Sequence, residues 1–262
     1  MKITVFTSNS RRHNYLINSL ALISDELFLI QECKTLFTGQ INSFYKVSQP
    51  LQKYFSLVNK SQNKIFKNQY VNLQKKKIRF FSIPFGDLKK INKEMIKDFL
   101  RSDMYVVFGT GILTGDLCEF LIKKKAINLH MGVSPFYRGT DCNFWAIYDN
   151  NPQLVGATIH LLERGVDNGK ILYHAFPKMV SNPFDFSMLS VKAAIDSVIF
   201  NLKNNNFSKF KPIPQDKGNE IRYSKKDEFN DEIIKNFFNR KIRISFKREL
   251  FNENFVEPFF LK

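Results

Sequence analysis

Lys2-Ile-Thr-Val-Phe-Thr7, Ser8-Asn-Ser-Arg-Arg-His13, Asn14 to Ile23 and Glu26-Leu-Phe-Leu-Ile-Gln31 open the chain. The first block alternates like a strand and the second is a turn. The third carries helical periodicity, and the fourth is another apolar strand. This order predicts parallel strands with helices packed on the faces of the sheet, an α/β fold.

The pattern continues downstream. Arg79-Phe-Phe-Ser-Ile83 reads as a short strand and Phe85–Arg101 as a helix, with Ile91, Met95, Ile96, Phe99 and Leu100 at helical spacing. Tyr105–Phe108 is a buried strand leading into Gly109-Thr-Gly111. Gly115–Lys124 is a helix, Ala126–His130 a strand and Asp141–Tyr148 a helix. Val155–Leu162 and Lys170–Pro177 are strands, and Ser187–Lys203 is a helix. Residues 40–78 are polar with spaced apolar positions and read as a helical excursion, with a solvated loop as the alternative. Pro212–Pro214 marks a linker. It divides a main domain, 1–211, from a small basic C-terminal extension, 212–262, with helical patterning over Phe229–Phe238.

A chain of 262 residues, 44% of them hydrophobic, can bury a sizeable core. No apolar run reaches the roughly 18 residues of a membrane span, and the first residues lack a signal-peptide core, so a cytoplasmic protein is expected. Lys and Arg outnumber Asp and Glu by 40 to 24. That excess suits a phosphorylated small molecule or RNA. The lysines are scattered and 28 phenylalanines are spread throughout, so compositional bias is favoured over nucleic-acid binding. Cys33, Cys118 and Cys142 form no disulfide framework and no metal-ligand spacing. Cys142 has no separate His/Asn pair left to activate it as a nucleophile.

Asn128 and His130 stand two apart on a strand, so both side chains point to one face. They lie toward its carboxyl end, where open α/β sheets bind ligands. The bland alternative is a buried polar pair bonded to loops. Asp167 sits in the turn Gly165-Val-Asp-Asn-Gly169, where an aspartate usually satisfies its own backbone. Thr158 and His160 share a strand face, supporting a site or filling a core. Gly109-Thr-Gly111 is half of a dinucleotide loop; the full G-x-G-x-x-G is absent, which leaves nicotinamide binding poorly supported. The first turn carries Asn9, Arg11 and Arg12 where glycines would cradle a phosphate, which favours side-chain contact over backbone contact.

Asn128-Leu-His130, the turn Ser134-Pro-Phe-Tyr-Arg-Gly139, Gly156-Ala-Thr-Ile-His160 and Gly165-Val-Asp-Asn-Gly169 together resemble the 10-formyltetrahydrofolate-dependent formyltransferases. That family includes glycinamide ribonucleotide, methionyl-tRNA and amino-sugar N-formyltransferases. The resemblance is close over 79–175, weaker over 1–35 and vague over 40–78. It implies a Rossmann-like, mostly parallel sheet with helices on both faces and a folate-dependent one-carbon transferase whose catalytic residues are Asn128, His130 and Asp167. It implies 10-formyltetrahydrofolate as co-substrate, with no metal. The folate would be held by the loops Phe108, Gly109, Thr110, Gly111, Ile112, Leu113 and Leu162, Glu163, Gly165, Val166, largely through backbone. The acceptor would meet Asn9, Arg11, Arg12, Arg138, Gly139 and Trp145, with Thr158 and His160 as support. In that chemistry Asn128 donates to the formyl oxygen, Asp167 raises the pKa of His130, and Asp167 relays the amine proton.

Departures from the family direct the choice of acceptor. The Ser8–His13 turn lacks the glycines of the ribonucleotide enzymes. Only about 45 residues follow Gly218, short of the C-terminal barrel of the tRNA enzymes. Asp141-Cys-Asn-Phe-Trp-Ala146 resembles the amino-sugar branch. The expected acceptor is a nucleotide-linked amino sugar. The alternatives are a methionyl-tRNA formyltransferase-like enzyme, a formyltetrahydrofolate hydrolase and, least favoured, a non-catalytic nucleotide- or RNA-binding module. A homodimer stays open.

Overall fold

β1 (Lys2–Thr7), α1 (Arg11–Ile23) and β2 (Glu26–Cys33) follow one another as expected, and β1 lies parallel to β2 with Lys2 opposite Glu26 and Thr7 opposite Gln31. Ile3, Val5, Leu27 and Leu29 point from these strands into one core cluster with Leu16, Ile17 and Leu20 of α1. This computed structural model describes residues 1–67, 70–72, 77–246 and 255–262. Of the expected 40–78 excursion, 68–69 and 73–76 lie outside the described residues, as do 247–254 of the extension.

The remaining elements are α2 (Gln49–Phe66), β3 (Lys77–Pro84), β4 (Met104–Phe108), α3 (Gly115–Lys123), β5 (Ile127–His130), β6 (Tyr137–Gly139), α4 (Cys142–Tyr148), β7 (Ala157–Leu161), β8 (Ile171–Phe176), α5 (Pro183–Lys203), β9 (Arg222–Ser224), α6 (Asp231–Asn239) and β10 (Phe259–Phe260). Eight strands form one sheet in the order β10-β8-β7-β5-β4-β1-β2-β3, and β6 pairs with β9 in a second, two-stranded ladder. Among the described residues of the large sheet, only β7 runs against its neighbours. The sheet is therefore mostly parallel and Rossmann-like, and β5 lies in its interior.

Two expected elements differ. Phe85–Arg101 is not one α-helix but two 3-10 segments, Leu88–Lys90 and Lys93–Leu100, the second kinked at Ile96 (φ −125°). The buried residues here are Leu88, Ile91, Ile96 and Leu100. The five-residue step from Ile91 to Ile96 is one too long for a continuous helical stripe. The break at Asn92, whose side chain accepts from Met95 N, absorbs the extra residue. Among the described residues of the 40–78 stretch the helix is α2, started by Ser48 accepting from Leu51 N and by Pro50 in its first turn. From Lys77 the chain is strand β3.

The C-terminal extension packs onto the main unit. Ile213 exchanges backbone hydrogen bonds with Ile171, β9 pairs with β6, and β10 extends the sheet beside β8. Phe229, Ile234, Phe237, Ile244 and Phe255 are buried with Phe144, Trp145 and Phe176 in one cluster. Among the described residues no helix is long and apolar enough to cross a membrane.

Candidate active site

The pairing of β5 with β7 sorts side chains by face. Asn128 lies opposite His160, and His130 opposite Thr158. Directly opposed residues in an antiparallel pair share a face, so these four polar side chains project together. Ile127, Leu129 and Ile159 alternate with them and are buried in the core cluster behind. The loop after β7 then brings Asp167 back over this polar face, with its backbone in the left-handed region (φ 47°).

The contacts are close. His130 Nδ1 stands 3.1 Å from Asp167 Oδ2, and its Nε2–H donates to the Tyr137 carbonyl at 3.2 Å. His160 Nδ1–H donates to the Leu161 carbonyl at 2.8 Å, leaving its Nε2 to accept from the Asn128 amide at 2.9 Å. The Asn128 amide makes a second, long contact of 3.5 Å to Asp167 Oδ1. Burial opposes the charged form of His130, but the Asp167 carboxylate, with Cys142 close by, outweighs it and holds the imidazole pKa well above its usual value. Burial likewise opposes ionisation of Asp167. The charge and hydrogen bond of His130, aided by His160, hold its carboxyl far below the usual range. The pair is an imidazolium–carboxylate at neutral pH.

Other side chains hold this group in place. Thr158 Oγ1 accepts from Ser134 N at 2.8 Å and donates to Gly132 O at 2.7 Å, fixing the turn after β5. His174, given no role above, donates from Nε2 to Ser134 O at 2.8 Å. Burial keeps His174 neutral, its pKa lowered to about 4. Cys142 lies buried beside His130, and burial pushes its thiol up against the opposing effect of His130.

The expected folate loops follow β4 and β7. Leu113 and Leu162 pack on the same core cluster, while Ile112 and Val166 are exposed, 69% and 37%. Glu32, unnoticed in the sequence, is fully buried, and its carboxylate accepts from Gly86 N at 2.7 Å and from Gly111 N. It thereby ties down the Gly109–Gly111 loop. Lys34 Nζ also donates to Gly109 O, at 3.1 Å.

The expected acceptor contacts divide. Arg12 lies within electrostatic range of Tyr45, Tyr54 and Asp141; burial lowers its pKa against their opposing effect. Burial and Arg12 lower Lys34 to about 8. Tyr45 donates to both oxygens of Asp141, at 2.9 and 2.7 Å. Asn9, however, uses both ends of its amide on the backbone of Lys34. Arg11 Nη1 donates to Lys67 O at 3.2 Å. Arg138 is engaged within the protein: its guanidinium binds Glu220 at 2.8 Å and the carbonyls of Val166 and Asp167 at 3.1 and 3.3 Å. Gly139 is required by the ladder, since a Cβ there would sit 2.1 Å from Ser224 O. Trp145 is 1% exposed inside the aromatic cluster, under the Arg222 guanidinium. A cavity of about 390 Å³ lies apart, between the 36–40 loop and α2, and none of these residues lines it. Among the described residues no three His, Cys, Asp or Glu side chains group as a metal site.

A family model described as formyl transferase matches residues 52–183. Methionyl-tRNA formyltransferase of Clostridium beijerinckii is 31% identical over 142 residues, 53% of this chain and 43% of that protein. The Trichodesmium erythraeum enzyme of the same name is 28% identical over 119 residues, 44% of this chain and 35% of that one. The aligned stretch is thus less than half the length of these relatives. Among solved structures, the fold resembles the formyltransferase PseJ of Anoxybacillus kamchatkensis, crystallised with UDP-4,6-dideoxy-4-formamido-L-AltNAc and tetrahydrofolate (TM-score 0.50, 17% identity, 87% of this chain and 89% of that one). It also resembles a 4-N formyltransferase of Francisella tularensis (TM-score 0.51, 19% identity, 84% and 75%).

Proposed function

This chain belongs to the formyl transferase family, and on that premise we propose that it transfers a formyl group from 10-formyltetrahydrofolate to a primary amine, with Asn128, His130 and Asp167 as the reacting constellation. One observation carries the reading. Strands β5 and β7 converge on the Asp167 carboxylate, with His130 at 3.1 Å and Asn128 and His160 alongside. The exposed Ile112 and Val166 on the two neighbouring loops suit the flat faces of a pterin.

As the amine attacks the formyl carbon, negative charge develops on the formyl oxygen. Asn128 is held by His160 through one amide hydrogen, so its long second contact can be exchanged for that oxygen. The His130 imidazolium adds positive charge nearby without leaving Asp167. Asp167, ionised throughout the neutral range, accepts the amine proton and returns it to the departing folate nitrogen, directly or through a water.

The acceptor is a nucleotide-linked amino sugar. Arg12 and Lys34 place two cations where the first turn meets the folate loop, a setting for phosphate. The second reading is a methionyl-tRNA formyltransferase-like enzyme, favoured by the curated relatives. Purified protein with 10-formyltetrahydrofolate and a panel of nucleotide-linked amino sugars, glycinamide ribonucleotide and methionyl-tRNA separates them by tetrahydrofolate release. Release dependent on one amino sugar supports the first, and salt-sensitive release with the tRNA the second. Release with no acceptor identifies a hydrolase. Asn128→Ala should lower kcat by roughly a hundredfold or more, and His130→Ala and Asp167→Asn by orders of magnitude, with folate binding retained; normal rates in all three would refute the mechanism.

A further inference from the structure

We propose that residues 213–224, beyond the segment matched by the family model, form a strap that sets the position of Asp167, with Gln215 and Glu220 as its positioning residues. The inference rests on the formyl-transfer reading for its kinetic consequence, though not for its geometry.

Both ends of the strap are tied to the fold. Ile213 and Ile171 exchange N–H···O bonds of 2.8 Å, and at the far end Ile221 N and Arg222 N both donate to Phe136 O, at 2.9 and 3.0 Å, where β9 joins β6. Between these anchors Gln215 Nε2 donates to Asp167 O at 2.9 Å and to Gly169 O at 2.8 Å. Among the described residues its Oε1 is buried without a partner, so the two carbonyls orient the amide. Glu220 accepts from Arg138 Nη1 at 2.8 Å, and the same guanidinium reaches Val166 O and Asp167 O.

The Asp167 carbonyl thus receives two donors from outside its own turn. The turn itself contributes little: the Asn168 side chain makes a 3.5 Å contact to Arg164 O, and Gly165 and Asp167 both have positive φ. A left-handed aspartate is not held by intrinsic preference. Gly169 fits closely, since a Cβ there would lie 1.7 Å from Leu161 O, so packing fixes the turn's exit, while Gln215 and Arg138 hold the backbone carbonyl at its apex.

The test is a pair of variants read three ways. Gln215→Met keeps the side chain's length and removes both donors; Glu220→Gln keeps its shape and weakens the hold on Arg138. The readouts are kcat, the folate KM and the NMR titration of His130, the last in unliganded protein. The groups facing His130 are Asp167 of the turn and the Cys142 thiol of α4, with His160 of β7 beyond Asp167. A displaced Asp167 lowers kcat roughly ten- to a hundredfold, leaves the folate KM within a few fold and moves the His130 pKa down by about one unit, with the smaller change in Glu220→Gln. A purely structural role would lower thermal stability without moving the His130 titration. A folded Gln215→Met with wild-type kcat and wild-type His130 titration overturns the proposal. Should Gln215→Met not fold, Glu220→Gln decides by the same readouts. Should the wild type transfer formyl to no amine, the functional reading falls and the His130 titration alone decides the strap.

Discussion

The His130–Asp167 pair ties stability to pH in a direction fixed by the two shifts. His130 has its pKa raised in the folded state, so its contribution is complete below its ordinary value of 6.5 and is lost as pH rises through the folded value. Asp167 is depressed, so its contribution is present above its ordinary 3.8 and is lost only in strong acid. These are two views of one interaction, strongest between about pH 4 and 6.5. Asp167→Asn should therefore cost more thermal stability at pH 5.5 than at pH 8.5; equal losses at both, or a larger one at pH 8.5, would show that the pair is not the ion pair described. Part of this pair stood out in the sequence. Asn128 and His130 interrupt an apolar strand with period two, whereas Asp167 was singled out by the family resemblance and not by its glycine-flanked turn. The surroundings of Arg138 and Trp145 were not legible, for the opposite reason. Their chemistry suits a ligand, but what occupies each side chain, the Asp167 loop and Glu220 for one and an aromatic core for the other, comes from chain segments far away in sequence.

At the scale of elements, the sheet was readable wherever strand and helix periods were clean, as in β1, α1 and β2. It was not where short 3-10 turns replace a helix between Leu88 and Leu100, because a single break resets the spacing. Glu32 shows what such loops need. Its carboxylate joins the turn after β3, at Gly86, to the loop after β4, at Gly111, and a Cβ on Gly111 would come within 3.1 Å of both carboxylate oxygens. Glu32→Gln leaves one oxygen for two N–H donors and turns an NH2 toward the other, at a cost of about 1–3 kcal/mol. If the Gly109–Gly111 loop carries folate, that cost falls on the folate KM, which should rise roughly tenfold or more, while the acceptor KM moves little. A rise confined to the acceptor would assign the loop to the other substrate.

For the whole molecule, the division at residue 212 follows a Pro-rich turn in the sequence and not a boundary in the packing. Nothing in local composition says that Phe229, Ile234, Phe237, Ile244 and Phe255 close over Phe144, Trp145 and Phe176, since each is an apolar residue in a basic, polar stretch. Several aromatic pairs cross this interface: Phe144 lies 4.7 Å from Phe229 and 5.1 Å from Phe237, and Phe176 4.4 Å from Phe255, between ring centroids. Removing 212–262 would uncover that cluster, strip β8 of its neighbour β10 and leave β6 without β9. It would also remove both donors that Gln215 directs at the Asp167 turn. Each large buried aromatic left facing water costs about 1.5–3 kcal/mol, and a domain has only about 5–15 kcal/mol in hand. A chain ending at Lys211 is therefore expected to be unfolded or aggregated, binding a hydrophobic dye strongly and showing no cooperative thermal transition. A truncated chain that melts cooperatively near the full-length midpoint would mean that the main domain is autonomous and that the C-terminal segment is a dispensable cover.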